Sequence, residues 1–195
     1  MVDAITADGG KARFAAADLS NPAELDDLAR QADTVDILVN NAGVSWFGPT
    51  PELDVATFGR LFTANQAPYF LTAALAPKMA ARGSGSIINI GSMAGEIGMP
   101  GGAAYGATKA ALDSMTRSWA AEYSPAGVRI NTVAAGPAYT PIQPDEVAEA
   151  VGATTIMARV AQPDEIANVI VFLASPKASY ITGAVIAADG GRAAI

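Results

Sequence analysis

Apolar runs of strand length alternate along the chain with longer stretches of helical period. Lys11 to Ala17 predicts a short strand. Ser20-Asn21-Pro22 opens a helix to about Ala32, with Ser20 or Asn21 as its cap and Glu24 in its first turn. Val35 to Asn40 (VDILVN) is the pattern of a buried strand. Asp54 to about Arg82 reads as helical, interrupted or kinked near Pro68 and Pro77, whose nitrogens cannot donate. Ser86 to Gly91 (SIINIG) predicts a strand, Gly102 to Tyr123 a long helix stopped before Pro125, and Val128 to Ala134 another strand. Pro163 to Ala174 predicts a helix with Pro at its first position and acids behind it, and Ala184 to Ala188 a last strand. Strands rich in Val and Ile alternating with helices imply a parallel sheet covered on both faces, joined by right-handed crossovers.

Composition narrows the chemistry. The 195 residues are 51% hydrophobic and 16% charged, enough to build a core. Nineteen acids against twelve bases give a net charge of −7, so no basic field exists for a polyanion and no nucleic-acid partner is expected. There is no Cys and no His, which removes disulfides, thiolate catalysis, imidazole zinc sites and the Ser-His-Asp triad; no metal site is expected. No apolar run reaches the length of a membrane span, and the first ten residues carry two Asp and no base. A cytoplasmic protein with no membrane partner is the expectation.

In an open parallel sheet the ligand lies beyond the carboxyl ends of the strands. Small or polar residues follow four predicted strands in turn: Asp18-Leu19, Asn40-Asn41-Ala42-Gly43, Gly91-Ser92-Met93-Ala94-Gly95, and Ala135-Gly136-Pro137 with Thr140. Tyr105 and Lys109 stand four apart in a predicted helix and so share a face, where a cation lowers the pKa of a phenol. Taken alone, the blander reading of that pair is the stronger: a surface Lys one turn from a half-buried Tyr. Ser92, a loop and a turn earlier, could join the phenol on one carbonyl-sized group. Asn65 interrupts an apolar helix. It is either a solvent-facing or kink-satisfying amide near Pro68, or a buried amide ordering water beside Lys109.

Together these segments resemble the short-chain dehydrogenase/reductase family, and within it the 3-oxoacyl-ACP-reductase-like members. The matches are Asp18-Leu19, the NNAG run at Asn40 to Gly43, Asn65, GSMAG with Ser92, and YGATK with Tyr105 and Lys109. Val128-Arg129-Ile130-Asn131, Gly136-Pro137 with Thr140, Pro163 to Ala167, Tyr180 to Gly183 and Asp189-Gly190-Gly191 complete them, from about residue 9 to 191. The resemblance implies an α/β, Rossmann-like, doubly wound parallel sheet in three α/β/α layers. It implies interconversion of a ketone and a secondary alcohol by hydride transfer with NAD or NADP. Tyr105 would be the general acid or base, Ser92 would hold the reacting oxygen, Lys109 would lower the Tyr105 pKa and bind the nicotinamide ribose, and Asn65 would hold a relay water. Asp18 and Leu19 would border the adenine; Asn40, Asn41, Ala42 and Gly43 the adenosine side; and Gly136, Pro137, Ala138 and Thr140 the nicotinamide.

The family's GxxxGxG loop is missing from the sequence. By resemblance, the chain is an N-terminally truncated version of a longer enzyme, short by roughly a βαβ unit and half a crossover. Dinucleotide binding is then expected to be weak or lost, and calorimetric titration reads this directly. Three outcomes are open for the sheet: truncation, reclosure of the first strand against VDILV, or cover by a second chain. A structural or oligomerising remnant is the alternative to an active enzyme. Residues 1–195 are read as one domain, with 141–160 a substrate lid carrying Ile142, Val147, Val151, Ile156 and Met157. Trp46, Phe47, Glu96, Ile97 and Tyr139 are candidate pocket residues. The resemblance also implies a homodimer or homotetramer, joined through the Asn65 and Tyr105 helices; Ala111, Met115, Trp119 and Ala120 supply apolar surface.

Overall fold

A computed structural model describes residues 1–141 and 143–195, so Ile142 of the expected lid lies outside the described residues. The elements run α1 (Val2–Ala7), α2 (Pro22–Gln31), β1 (Ile37–Asn40), α3 (Val55–Thr63), α4 (Gln66–Ala81), β2 (Gly85–Ser92), α5 (Ala103–Tyr123), β3 (Val128–Ala135), α6 (Asp145–Gly152), α7 (Pro163–Ala174) and β4 (Val185–Ala188). The four strands form one parallel sheet in the order β1-β2-β3-β4.

Strand alternation sends neighbouring residues to opposite faces. Ile87, Val128 and Ile130 pack with Leu112 and Trp119 of α5 and Met79 of α4. Ile88 and Val133 pack on the other side with Leu173 of α7 and Ala178. Both faces of the central strands are therefore covered, which is why their sequences run continuously apolar. A separate cluster joins Leu25 and Ala29 of α2 to Ala67 and Leu71 of α4. The result is the expected Rossmann-like α/β/α arrangement.

The structure departs from expectation at the first strand, removes one of the three outcomes open for the sheet, and places the break in the long helix. Lys11 to Ala17 is not a strand: residues 9–18 have no helix or strand structure, and Phe14 is 81% exposed. An extended segment becomes a strand only beside a partner, and among the described residues this one pairs with no strand. The sheet does not reclose: β1 pairs with β2 alone, and Ile37 and Val39 remain partly open to solvent. The helical stretch expected from Asp54 to Arg82 is interrupted at Ala64-Asn65, just before Pro68, and forms two helices, while Pro77 lies inside the second. Pro68 falls in the first turn of α4, where a missing N–H costs little. Asp54 caps α3 by accepting from the Thr57 amide, and Asn21 caps α2 by accepting from that of Ala23. Among the described residues no helix is long and apolar enough to cross a membrane.

Candidate active site

The strand ends and the first half of α5 bring the predicted polar residues together. Ser92 is the last residue of β2, and its hydroxyl accepts from the Ala94 amide, which fixes the turn that follows. Gly106 lets α5 approach that turn: a Cβ on it would stand 2.4 Å from the Ala94 carbonyl oxygen. Tyr105 thereby faces Ser92, and Lys109 follows one turn later with its Nζ 5.7 Å from the Tyr105 ring centroid. Lys109 Nζ donates to the Ile90 carbonyl at 2.8 Å. Asn65 sits at the α3–α4 break and donates to the Thr108 carbonyl at 2.8 Å, which ties that break to α5. Asn65, Lys109, Ile90, Gly43 and Thr108 line a cavity of about 10 Å³, near the size of one water. Phe47 packs on Tyr105 with ring centroids 5.2 Å apart.

The electrostatics differ from the simple pairing argument. An adjacent cation predicts a phenol below its ordinary value. Burial instead holds Tyr105 above it, with the Ser92 hydroxyl pulling the other way. Lys109 points its amine at a backbone carbonyl, and burial lowers its own pKa, opposed by the charge of Asp113. Asp113, a residue absent from the expected site, is pushed up to about 6 by burial and by the Glu96 charge; Arg117, Thr132 and Lys109 oppose this. Its signal was available in the sequence, an acid four residues beyond Lys109 on a face otherwise apolar or small.

The remaining expected contacts divide. Asn40 is buried, and its amide donates to Asn89 at 2.8 Å; Asn89 donates in turn to Thr116, bonded to Thr132. Asn41 is exposed, and Ala42 and Gly43 lie beside Lys109, whose Nζ is 3.7 Å from the point a Gly43 Cβ would occupy. Large side chains there would crowd the amine, so the strand end fits a ligand that runs close to the backbone. Asp18 is exposed and accepts from the amide and hydroxyl of Ser20, while Leu19 packs against the α2 cluster. Gly136 is small for a second reason: a Cβ would stand 2.4 Å from Asp189 Cα. Pro137 and Ala138 are tied to Ala161, and Thr140 is exposed. Among the described residues no cluster of acids suits a metal ion. A wider cleft of about 460 Å³ opens between α7 and the end of β4, lined by Ile156, Met157, Arg159 and Ile166; none of Asn65, Ser92, Tyr105 or Lys109 borders it.

A family model described as enoyl-(acyl carrier protein) reductase matches residues 1–193. A cis-4-hydroxycyclohexanecarboxylate dehydrogenase of Sinomonas cyclohexanicum is 38% identical over 176 residues, covering 88% of this chain and 71% of that protein. The solved structure of a short chain dehydrogenase/reductase family protein superposes with a TM-score of 0.93 at 48% identity, over 100% of this chain and 82% of its own. A blue fluorescent protein from a metagenomic library, solved in complex with NADPH, superposes with a TM-score of 0.90 at 36% identity, over 98% of this chain and 80% of its own. With matches of this extent at these identities, the chain belongs to the short-chain dehydrogenase/reductase family of NAD(P)-dependent oxidoreductases.

Proposed function

We propose that the chain interconverts a ketone and a secondary alcohol on NAD or NADP, with Tyr105 transferring the proton and Ser92, Lys109 and Asn65 supporting it. The observation that carries this reading is the meeting of Tyr105, Ser92 and Lys109 at the carboxyl end of β2. Bound NAD(P) supplies or accepts the hydride. The protein's own residues handle the proton and the oxygen. Tyr105 as the neutral phenol donates its proton to the carbonyl oxygen in reduction, and as the phenolate it takes the proton of the alcohol in oxidation; burial favours the neutral form. Ser92 donates to the same oxygen and steadies its developing charge. The Lys109 amine favours the phenolate formed when the proton leaves. The water-sized cavity between Asn65 and Lys109 suits one water that would carry the proton onward.

Ala42 and Gly43, with Asn41 beside them, would take the adenosine side of the cofactor, and Gly136 to Thr140 the nicotinamide side. Phe47, packed at a tilt on Tyr105 and half exposed, gives the substrate side an apolar wall. The Sinomonas relative is named for a cyclic secondary alcohol bearing a carboxylate, and a cyclic secondary alcohol is the substrate class to test first. The expected lid, of which 141 and 143–160 are described, would close over the substrate within a single domain. In that stretch α6 buries Ala148, while Val147, Ile156 and Met157 stay open to meet an apolar substrate. Ser92→Ala is expected to lower kcat by about 10²–10³-fold, the usual loss on removing one donor to a developing oxyanion. Steady-state kinetics check this, and an unchanged kcat removes Ser92 from the reaction.

We place the protein in the cytoplasm, as a homodimer or homotetramer. The apolar surface invoked for assembly needs revision: Trp119 and Ala120 are buried within the chain's own core. Phe58, Phe62, Tyr69 and Phe70 on α3 and α4 instead remain 37% to 50% exposed, with Phe58 and Phe62 stacked on each other. Light scattering is expected to give at least twice the 19.7 kDa chain mass, and Phe58→Glu with Phe70→Glu is expected to return it to one chain. A wild-type mass of a single chain contradicts the assembly.

A further inference from the structure

Asp113 is a buried ionisable group that the proton-transfer reading leaves unused. It follows Lys109 by four residues, so the two occupy one face of α5. It is 4% exposed, and its Oδ1 has no hydrogen-bond partner among the described residues. Its two carboxyl oxygens lie 3.3 and 3.2 Å from the points where Cβ atoms would stand on Gly91 and Gly95. The carboxyl is thus seated against the two glycines that bracket Ser92. Lys109 makes no ion pair among the described residues, although burial works against its charge. A buried ammonium is costly without a nearby counter-charge. The charged groups facing Asp113 are few: Lys109 and Arg117 on its own helix and Glu96 in the turn after β2. The β3 strand offers the Thr132 hydroxyl and no charge.

We infer that Asp113 is a positioning residue whose carboxylate keeps the buried Lys109 amine in its ammonium form, and so sets the charge beside the Tyr105 phenol. The role rests on the reading of Tyr105 and Lys109 given above. Its sign follows from the order of ionisation. Below its pKa of about 6 the Asp113 carboxyl is neutral and does nothing for Lys109; above it, the carboxylate raises the lysine's pKa. In Asp113→Asn the neighbour is neutral at every pH. Wild type and variant therefore coincide in acid and part company above about pH 6.

Side-chain NMR of the lysine Cε and Nζ positions tests this on the whole chain, which holds four lysines: Lys11, Lys78, Lys109 and Lys177. Lys109→Gln assigns the signal. In wild type the Lys109 resonance should inflect near pH 6 as Asp113 ionises. Asp113→Asn should abolish that inflection and lower the Lys109 pKa, and Asp113→Glu should keep the inflection and the wild-type pKa. A wild-type Lys109 resonance flat through this range overturns the inference, as does an unchanged Lys109 pKa in Asp113→Asn. The wild-type titration decides alone if the Asn variant does not fold. In turnover, Asp113→Asn should match wild type in acid and fall behind it as the pH rises and the unsupported Lys109 amine loses its proton, whereas an equal loss at every pH marks a merely structural role and overturns it. Absence of turnover in every variant would sink the assigned reaction and leave the lysine titration to judge Asp113.

Discussion

Tyr105→Phe is expected to lower kcat/KM for a cyclic secondary alcohol by about 10²–10⁴-fold while leaving dinucleotide affinity nearly unchanged. The substitution removes one oxygen and one proton and keeps the ring, which packs against Phe47. Ser92 keeps its bond from the Ala94 amide, and Lys109 keeps its bond to the Ile90 carbonyl, because neither uses the phenol. The variant therefore isolates proton transfer. Loss in kcat without loss of affinity is the mark of an interaction made only in the transition state. The pH profile adds a second check: with burial holding the phenol above its ordinary value, oxidation should gain rate toward alkaline pH as the phenolate forms, and reduction should not.

Gly106→Ala is the second large effect, and it opposes helix propensity. In an open helix, Ala is favoured over Gly by about 1 kcal/mol. Here the added Cβ would stand 2.4 Å from the Ala94 carbonyl oxygen, a backbone atom that cannot rotate aside. Either α5 backs away from the turn after Ser92 or the turn itself shifts. Overpacking of this kind costs about 1–3 kcal/mol, so the net change is destabilising, by roughly 2–4 °C in Tm for each kcal/mol. Because the same movement parts Ser92 from Tyr105, kcat should fall with it. Gly59→Ala is the matched control: it lies in α3 with nothing within 4 Å of its Cβ position, and it should leave Tm unchanged or raise it. Thermal melts of both variants decide the matter. A Gly106→Ala protein as stable as wild type contradicts the close approach.

The fold was legible where burial on both faces forces an unbroken apolar run. β2 and β3 fall within one residue of the expected bounds, because Val and Ile in such runs leave few alternatives; β4, at the sheet edge and only half-buried, does so too. Local pattern failed where partners decide. Lys11 to Ala17 has strand-like residues but, among the described residues, no strand to pair with, and stays irregular. The α3–α4 break follows Asn65, whose amide bonds across to α5, a contact that local sequence cannot reveal. Trp119 and Ala120 look like spare surface on a helix wheel, yet β2, β3 and α4 enclose them. In the site, the residue types and their spacing were readable from the strand ends onward. The electrostatics were not: the direction of the Tyr105 shift and the place of Asp113 both depend on burial, which exists only once the layers close.

The central claim is that Tyr105 carries the proton in a dinucleotide-linked alcohol oxidation. Its most direct measurement is the absorbance of reduced nicotinamide formed from a cyclic secondary alcohol at high NAD or NADP, in wild type and Tyr105→Phe side by side. Reduced nicotinamide growing in proportion to wild-type protein, and nearly absent with Tyr105→Phe, is the predicted result. Equal rates in the two proteins, or no product from wild type with either dinucleotide, would contradict it.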